Sequence, residues 1–405
     1  MATSLTITRT NGNVPKTLAG EDHITGLVFY IPSTELDKLP AFKTEPIQAL
    51  SSIEAAEAAG ITLTKTNADG KEEASALPIR IAHYHLSEIY RLNPAVILYV
   101  GIFAEASTNK TPDFSEVKKV QNYAGGRIRQ MGVWYGSRPL GDGEDAKTLQ
   151  GVADALEAQA GELSIVYAPK VASIKQMSDK VADGKSRVSV VVSQAGGDCE
   201  ASRLYKDKAN TAKTTVSDLG TVMGLLSRAK VHQCIAWVKE FPTGISVPGF
   251  GDGTLLRDLD RADIDALDAK RYLFMVTQPG QAGSYMNDSH TMDSAISDYA
   301  AIESVRTMDK AVRGVRTYVV PELGGNVYVD AETGKLAAHS VAHLETTANH
   351  ALEDMERAGE LSGYKVEIDP EQDVASSSAL EFVIKNVASP VVRHFKIKIG
   401  FAKTV

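Results

Sequence analysis

The run Ala95–Phe103 (AVILYVGIF) carries no charge and no period. A continuous apolar run this short fits a strand buried on both faces, and such strands belong to parallel sheets covered by helices on each side. Other short apolar runs lie at Ile24–Ile31, Met131–Tyr135, Leu163–Ala168 and Val188–Ser193. Between and after them come helical patterns at Leu77–Arg91, Phe114–Ala124, Lys147–Ala160, Ser173–Val181 and Ser217–Ala229. This alternation predicts an α/β region with a mostly parallel sheet and right-handed crossovers. Ile47–Ala59 is read as a helix closed by Gly60, and Asp258–Ala269 as another. Ile235–Val238 and Tyr272–Val276 are short strands, and the Gly/Pro-rich segment 241–253 is a long surface loop.

After residue 290 the pattern changes. Long helices are predicted over Asp298–Tyr318 and Val341–Ala358, with short strands at Val327–Asp330, Tyr364–Ile368 and Ala379–Val387. In the final stretch, Val391 to Val405, Phe395, Ile397, Ile399 and Phe401 alternate with His394, Lys396 and Lys398. Period two marks a strand with one buried face, and its backbone needs a partner. At the other end Leu5 and Ile7 alternate with threonines, a short strand over Thr3–Thr10, followed by an aperiodic arm to Gly20.

A chain of 405 residues suggests two to three domains of roughly 150 residues. A net charge of -8 argues against a duplex nucleic-acid binder. Two cysteines, Cys199 and Cys234, make no disulfide framework. MATSLTITRT lacks the apolar core of a signal peptide, and no apolar run is long enough to span a bilayer. A soluble protein made in the cytoplasm is expected.

Candidate chemistry is sparse. Gly196-Gly197-Asp198-Cys199 follows a predicted strand and offers either a nucleophile in an anion-holding turn or a tight turn beside a structural thiol. No dinucleotide or P-loop fingerprint occurs. His83 and His85 lack zinc spacing, and His339 and His343 lack the glutamate of a metalloprotease helix. Gly249–Gly253 lacks the lysine and hydroxyl of a phosphate loop. No metal, cofactor or catalytic residue is predicted. The Arg306, Asp309, Lys310, Arg313 and Arg316 series shares one helix, as a solvated face or as intersubunit charge contacts.

The segment from Asp298 onward resembles the C-terminal part of contractile tail sheath proteins of bacteriophages and contractile injection systems. The residues that carry the likeness are Arg306–Arg316, Val329-Asp330 with Thr333–Leu336, Leu352–Met355, Gly359–Tyr364, Val366–Asp373 and the strand Val392–Phe401. The resemblance covers about a quarter of the chain.

It implies an α/β, overall α+β, protein. An N-terminal linking arm (1–20) would precede a sheath core domain built from residues 21–77 and 291–390. An α/β domain (78–290) would be inserted in it, and a C-terminal linking strand (391–405) would follow. It implies a structural subunit, not an enzyme, that polymerises helically in stacked six-fold rings around an inner tube protein. Contraction would then drive the tube through a target envelope. Leu5, Ile7, Phe395, Ile397, Ile399 and Phe401 would supply β-strands to neighbouring subunits. Glu345, Glu353, Asp354 and Glu356, on a helix of the kind that lines the sheath lumen, would face the tube or else form a solvated acidic face. Baseplate and terminator proteins would complete the partners, with no direct nucleic acid and no membrane insertion. The particle, a virion tail or injection device, would assemble in a bacterial cytoplasm. Two other readings stand beside this one: an α/β enzyme with a site near Cys199 and the 241–253 loop, and a non-contractile virion scaffold.

Overall fold

The computed structural model describes residues 20–66, 69–106, 111–140 and 144–401. The arm containing Leu5 and Ile7 lies outside them.

The first strands are β1 (Thr25–Ile31), β2 (Ile47–Leu50), β3 (Thr64–Thr66), β4 (Glu72–Ala74), β5 (Leu98–Ala104), β6 (Gln130–Pro139), β7 (Ser164–Lys170) and β8 (Val188–Val190). Helices α1 (Ser33–Leu36), α2 (Pro40–Thr44), α3 (Ile53–Ala58), α4 (Leu77–Leu92), α5 (Ser115–Tyr123) and α6 (Glu144–Glu157) are interleaved with them. Then come α7 (Glu200–Lys206), α8 (Leu219–Arg228), α9 (Arg261–Ala269), and the paired β9 (Met275–Val276) and β10 (Tyr285–Met286). The C-terminal part holds α10 (Ile302–Val319), α11 (Ala338–Arg357), β11 (Leu361–Glu367), α12 (Val374–Ser377) and β12 (Val383–Ala388).

A six-stranded sheet in the order β2-β5-β1-β6-β7-β8 forms the body. Its strands are parallel except for β2, which runs antiparallel to β5 at the edge. Alternate residues feed two cores. Leu27, Phe29 and Ile31 of β1 join Leu98, Val100 and Ile102 of β5 beneath α4 and α8. Val28 and Tyr30 join Ile165 and Tyr167 of β7 beneath α5 and α6. This two-sided burial explains why the strands are continuous apolar runs. On the first face α8 crosses α4 closely: a Cβ on Gly220 would lie 2.5 Å from the His85 carbonyl oxygen. Any side chain there would force the helices apart.

The mixed α/β class follows the sequence expectation, but several elements do not. Ile47–Leu50, expected as helix, pairs with β5 as β2. The helix starts only at α3, where the Ser52 hydroxyl accepts from the Ala55 amide as an N-cap. Ser173–Val181 keeps a single 3₁₀ turn, Ile174–Gln176. Ile235–Val238 forms turns, and the β3–β4 hairpin was not anticipated. The segment 241–253 is not a surface loop. Phe250 is fully buried, its ring 5.8 Å from that of Phe274, and the Gly251 amide donates to Val192. The expected boundary at residue 77/78 falls within one sheet, since β1 lies between β5 and β6.

In the C-terminal part α10 and α11 pack through Ala311, Ala348, Leu352 and Met355, and β11–β12 form an antiparallel hairpin against them. Residues 391–401, the described part of the expected strand 391–405, form no ladder with any described residue.

Candidate functional site

Two features of the C-terminal part fit each other. The first is an apolar groove of about 410 Å³ between α10 and β12. Ala311, Val312, Val315, Val319 and Leu323 line one wall and Ile384 and Asn386 the other. Ile384 and Asn386 alternate along β12 with Val383, Lys385 and Val387, so one face of the strand turns to the groove. Among the described residues β12 pairs only with β11, which leaves its second edge open beside the groove. The buried Oδ1 of Asn386 has no hydrogen-bond partner among the described residues.

The second feature is the arm. Phe395, Ile397, Ile399 and Phe401 are 83%, 83%, 95% and 111% exposed, an apolar face left almost bare by the described residues. Exposed aromatic and branched side chains at alternate positions are costly in water and mark an interaction surface.

The charged series on α10, read from the sequence as a solvated face or as intersubunit contacts, meets the chain's own body. These residues bind the C-terminal part to the body within one chain. Arg187, at the start of β8, gives two parallel hydrogen bonds of 2.9 Å to Asp309 and pairs with Glu157. Burial disfavours the Arg187 cation, yet Asp309 and Glu157 raise its pKa above the usual guanidinium value. Lys310 contacts Asp22 at 2.7 Å and Glu360 at 2.6 Å, and Arg313 reaches Asp22 at 3.4 Å. Burial works against the Asp22 carboxylate, but Lys310 and then Arg313 and Arg306 outweigh it and lower its pKa. Burial, with Arg129 nearby, pulls Arg313 down to about 10. Arg306 is buried and donates to the carbonyls of Asp22 and Ala229, and Arg316 pairs with Glu162. Helical spacing places these side chains on one face but cannot say what that face meets.

On α11, Glu345 accepts from the Ile368 amide at 2.9 Å, while Glu353 and Asp354 pair with Arg357 of their own helix. Glu356 is exposed.

The other candidates resolve into structural roles. Cys199 precedes α7 with its thiol pushed up, by burial first and then by Asp218, the reverse of an activated nucleophile. His85 is buried against Phe29, and burial lowers its pKa to about 3, so the ring is neutral and accepts from the Gly220 amide. His83 meets Glu57 at 2.9 Å, and His343 meets Glu322 at 3.3 Å. The His339 ring lies 5.4 Å from that of Tyr328. Among the described residues no three His, Cys, Asp or Glu side chains cluster as metal ligands. None of the described helices is long and apolar enough to cross a membrane.

Asp218 is the titratable group that sequence reading missed. It is fully buried and accepts from the Ala195 amide at 3.0 Å and the Tyr84 hydroxyl at 3.3 Å, and burial raises its pKa to about 7. A carboxyl raised in the folded state adds stability below its ordinary pKa and loses it as pH climbs through the folded value. Denaturant unfolding should therefore show this contribution falling between about pH 4 and pH 7. Asp218→Asn should flatten that slope, by on the order of a few kcal/mol at the alkaline end.

Known structures share this architecture. A chain in the cryo-EM structure of the anti-feeding prophage (AFP) baseplate, 6-fold symmetrised, aligns with a TM-score of 0.59 at 12% identity, covering 99% of this chain and 100% of that one. A chain of the PVC sheath complex in contracted state, an extracellular contractile injection system, aligns with a TM-score of 0.58 at 9% identity, covering 99% and 97%. The fold is thus one found in chains of contractile injection assemblies. In sequence, the chain matches the N-terminal domain of DUF2586 over residues 165–290 and the DUF2586 C-terminal domain over residues 298–405. No curated protein matches it.

Proposed function

We propose that this chain is a structural subunit of a contractile sheath, in a phage tail or an injection device. It polymerises by giving the strand around Phe395–Phe401 to the groove and open β12 edge of a neighbour. The observation that carries this reading is the match between an exposed, alternating apolar strand and an empty apolar groove beside an unpaired edge. Main-chain hydrogen bonds would supply affinity, and alternate side chains would fix register. The likeness of fold to chains of the AFP baseplate and PVC sheath assemblies supports it.

Contraction would be a repacking of rigid subunits about these links, not a chemical step. The charge pairs between α10 and the body suit a subunit that moves as one piece. An inner tube, met by the exposed Glu356 side of α11, and baseplate and terminator proteins would complete the assembly. The raised pKa of the Cys199 thiol counts against the enzyme reading.

Negative-stain microscopy of the purified protein should show tubes or stacked rings. A monodisperse small species with saturable small-molecule binding would refute the proposal and favour an enzyme.

A further inference from the structure

The arm does not leave the body freely. Arg393 Nε lies 3.0 Å and 2.8 Å from the two Asp288 carboxylate oxygens, and its Nη2 lies 2.6 Å from Glu303 Oε1. The Ser289 hydroxyl lies 3.5 Å from Nη2 and itself donates to Glu303. Both acids are largely buried, with side chains 13% and 6% exposed. Glu303 has its ion pair with Arg393, and Asp288 has Arg393 and, at 4.0 Å, His290. Moving the guanidinium away would strand two buried carboxylates, a costly change in low dielectric. Two donors of one planar guanidinium, Nε on Asp288 and Nη2 on Glu303, also fix direction as well as distance.

The position matters as much as the pairing. Glu303 stands in the first turn of α10, whereas the groove is lined from Met308 to Leu323. At about 1.5 Å per residue, Glu303 and Val315 are separated by about 18 Å along the helix. Strand β12 runs toward the Glu303 end, since Asn386 meets Met308 and Arg393 meets Glu303. A tight turn after β12 would let residues 393–401 fold back on the chain's own β12 edge. The clasp holds Arg393 at the far end instead.

We infer that Arg393 is a positioning residue that anchors the root of the arm on Asp288 and Glu303. It thereby keeps the arm off its own groove and presents residues 395–401 to a second copy of this chain. The inference rests on the strand-donation reading. It adds a fixed point and a reason why donation passes between chains rather than closing within one.

Backbone 15N relaxation on unassembled protein, with sedimentation of the assembled form, tests it. In the parent protein, residues 391–393 should be ordered, with order parameters of roughly 0.8, and residues 395–401 mobile, below about 0.6. Arg393→Gln should bring both segments to the mobile value or order 395–401 within the monomer, and should lower the assembled fraction several-fold. Asp288→Asn, which leaves the arm sequence intact, should do the same to a smaller degree, and Arg393→Lys should fall between. Unchanged order at 391–393, or an unchanged assembled fraction, in both Arg393→Gln and Asp288→Asn overturns the inference. If the parent protein forms no polymer, the strand-donation reading fails by itself, while the order contrast at 391–393 still reports on the anchor.

Discussion

Removing residues 395–405 should leave a folded monomer that no longer assembles. The cut keeps Arg393 and its clasp, and the described residues it removes add almost no packing to the body. Phe395, Ile397, Ile399 and Phe401 are almost wholly exposed and contribute no core to their own chain. In a neighbour's groove each would bury a side chain at ~1.5–3 kcal/mol, and about half a dozen ladder bonds would add ~0.5–1.5 kcal/mol each before ordering entropy is subtracted. Losing even ~4 kcal/mol of that weakens each link about a thousandfold.

Thermal unfolding of the truncated protein should match the parent, while microscopy shows no tubes or rings. Val312→Glu, a partly exposed groove position, should also block assembly by spoiling the acceptor. The truncated chain can accept but not donate, and the Val312→Glu chain can donate but not accept. An equimolar mixture should therefore yield discrete heterodimers. A truncated protein that assembles normally would sink the proposal.

The second large effect concerns the joint between α10 and the sheet. Arg187→Ala should destabilise the chain by about 3–5 kcal/mol, because it leaves Asp309 buried without its partner. Asp309→Ala should cost less, at the low end of that range, because Glu157 still pairs with Arg187. A joint replacement, Arg187→Met with Asp309→Leu, should recover much of the loss, since an apolar pair avoids the desolvation of two charges. Equilibrium denaturation of the two alanine variants and of the double variant Arg187→Ala with Asp309→Ala gives the coupling energy. Additive single effects would show that the charges act independently and that the C-terminal part is held by packing alone.

The contrast between those two features explains what the sequence could say. The strands β1, β5, β7 and β8 were legible because both faces are buried, and continuous apolar composition is a local signal. Ile47–Leu50 was misread because a short apolar–alanine stretch fits either period, and only the edge of β5 selects strand. The 241–253 segment resembled a loop by its glycines and prolines, yet Phe250 and the sheet end it covers make it core.

The charge series on α10 was visible as a series, but helical spacing cannot distinguish solvent, a second subunit or the chain's own sheet. Arg187 and Asp22, its partners, lie far away in sequence and carry no local mark. Arg393 was one basic residue before an alternating strand, and nothing near it predicts Asp288 and Glu303.

By itself the sequence determined the alternation of strands and helices and the unsatisfied apolar face of Phe395, Ile397, Ile399 and Phe401. Period and hydrophobicity are properties of neighbouring residues, and both are enforced by local backbone geometry. Only the tertiary structure decided where charge is spent, which edge stays open and where the arm is pinned. Those outcomes depend on which distant side chains share a buried, low-dielectric contact, and that is settled when α10 docks on the sheet.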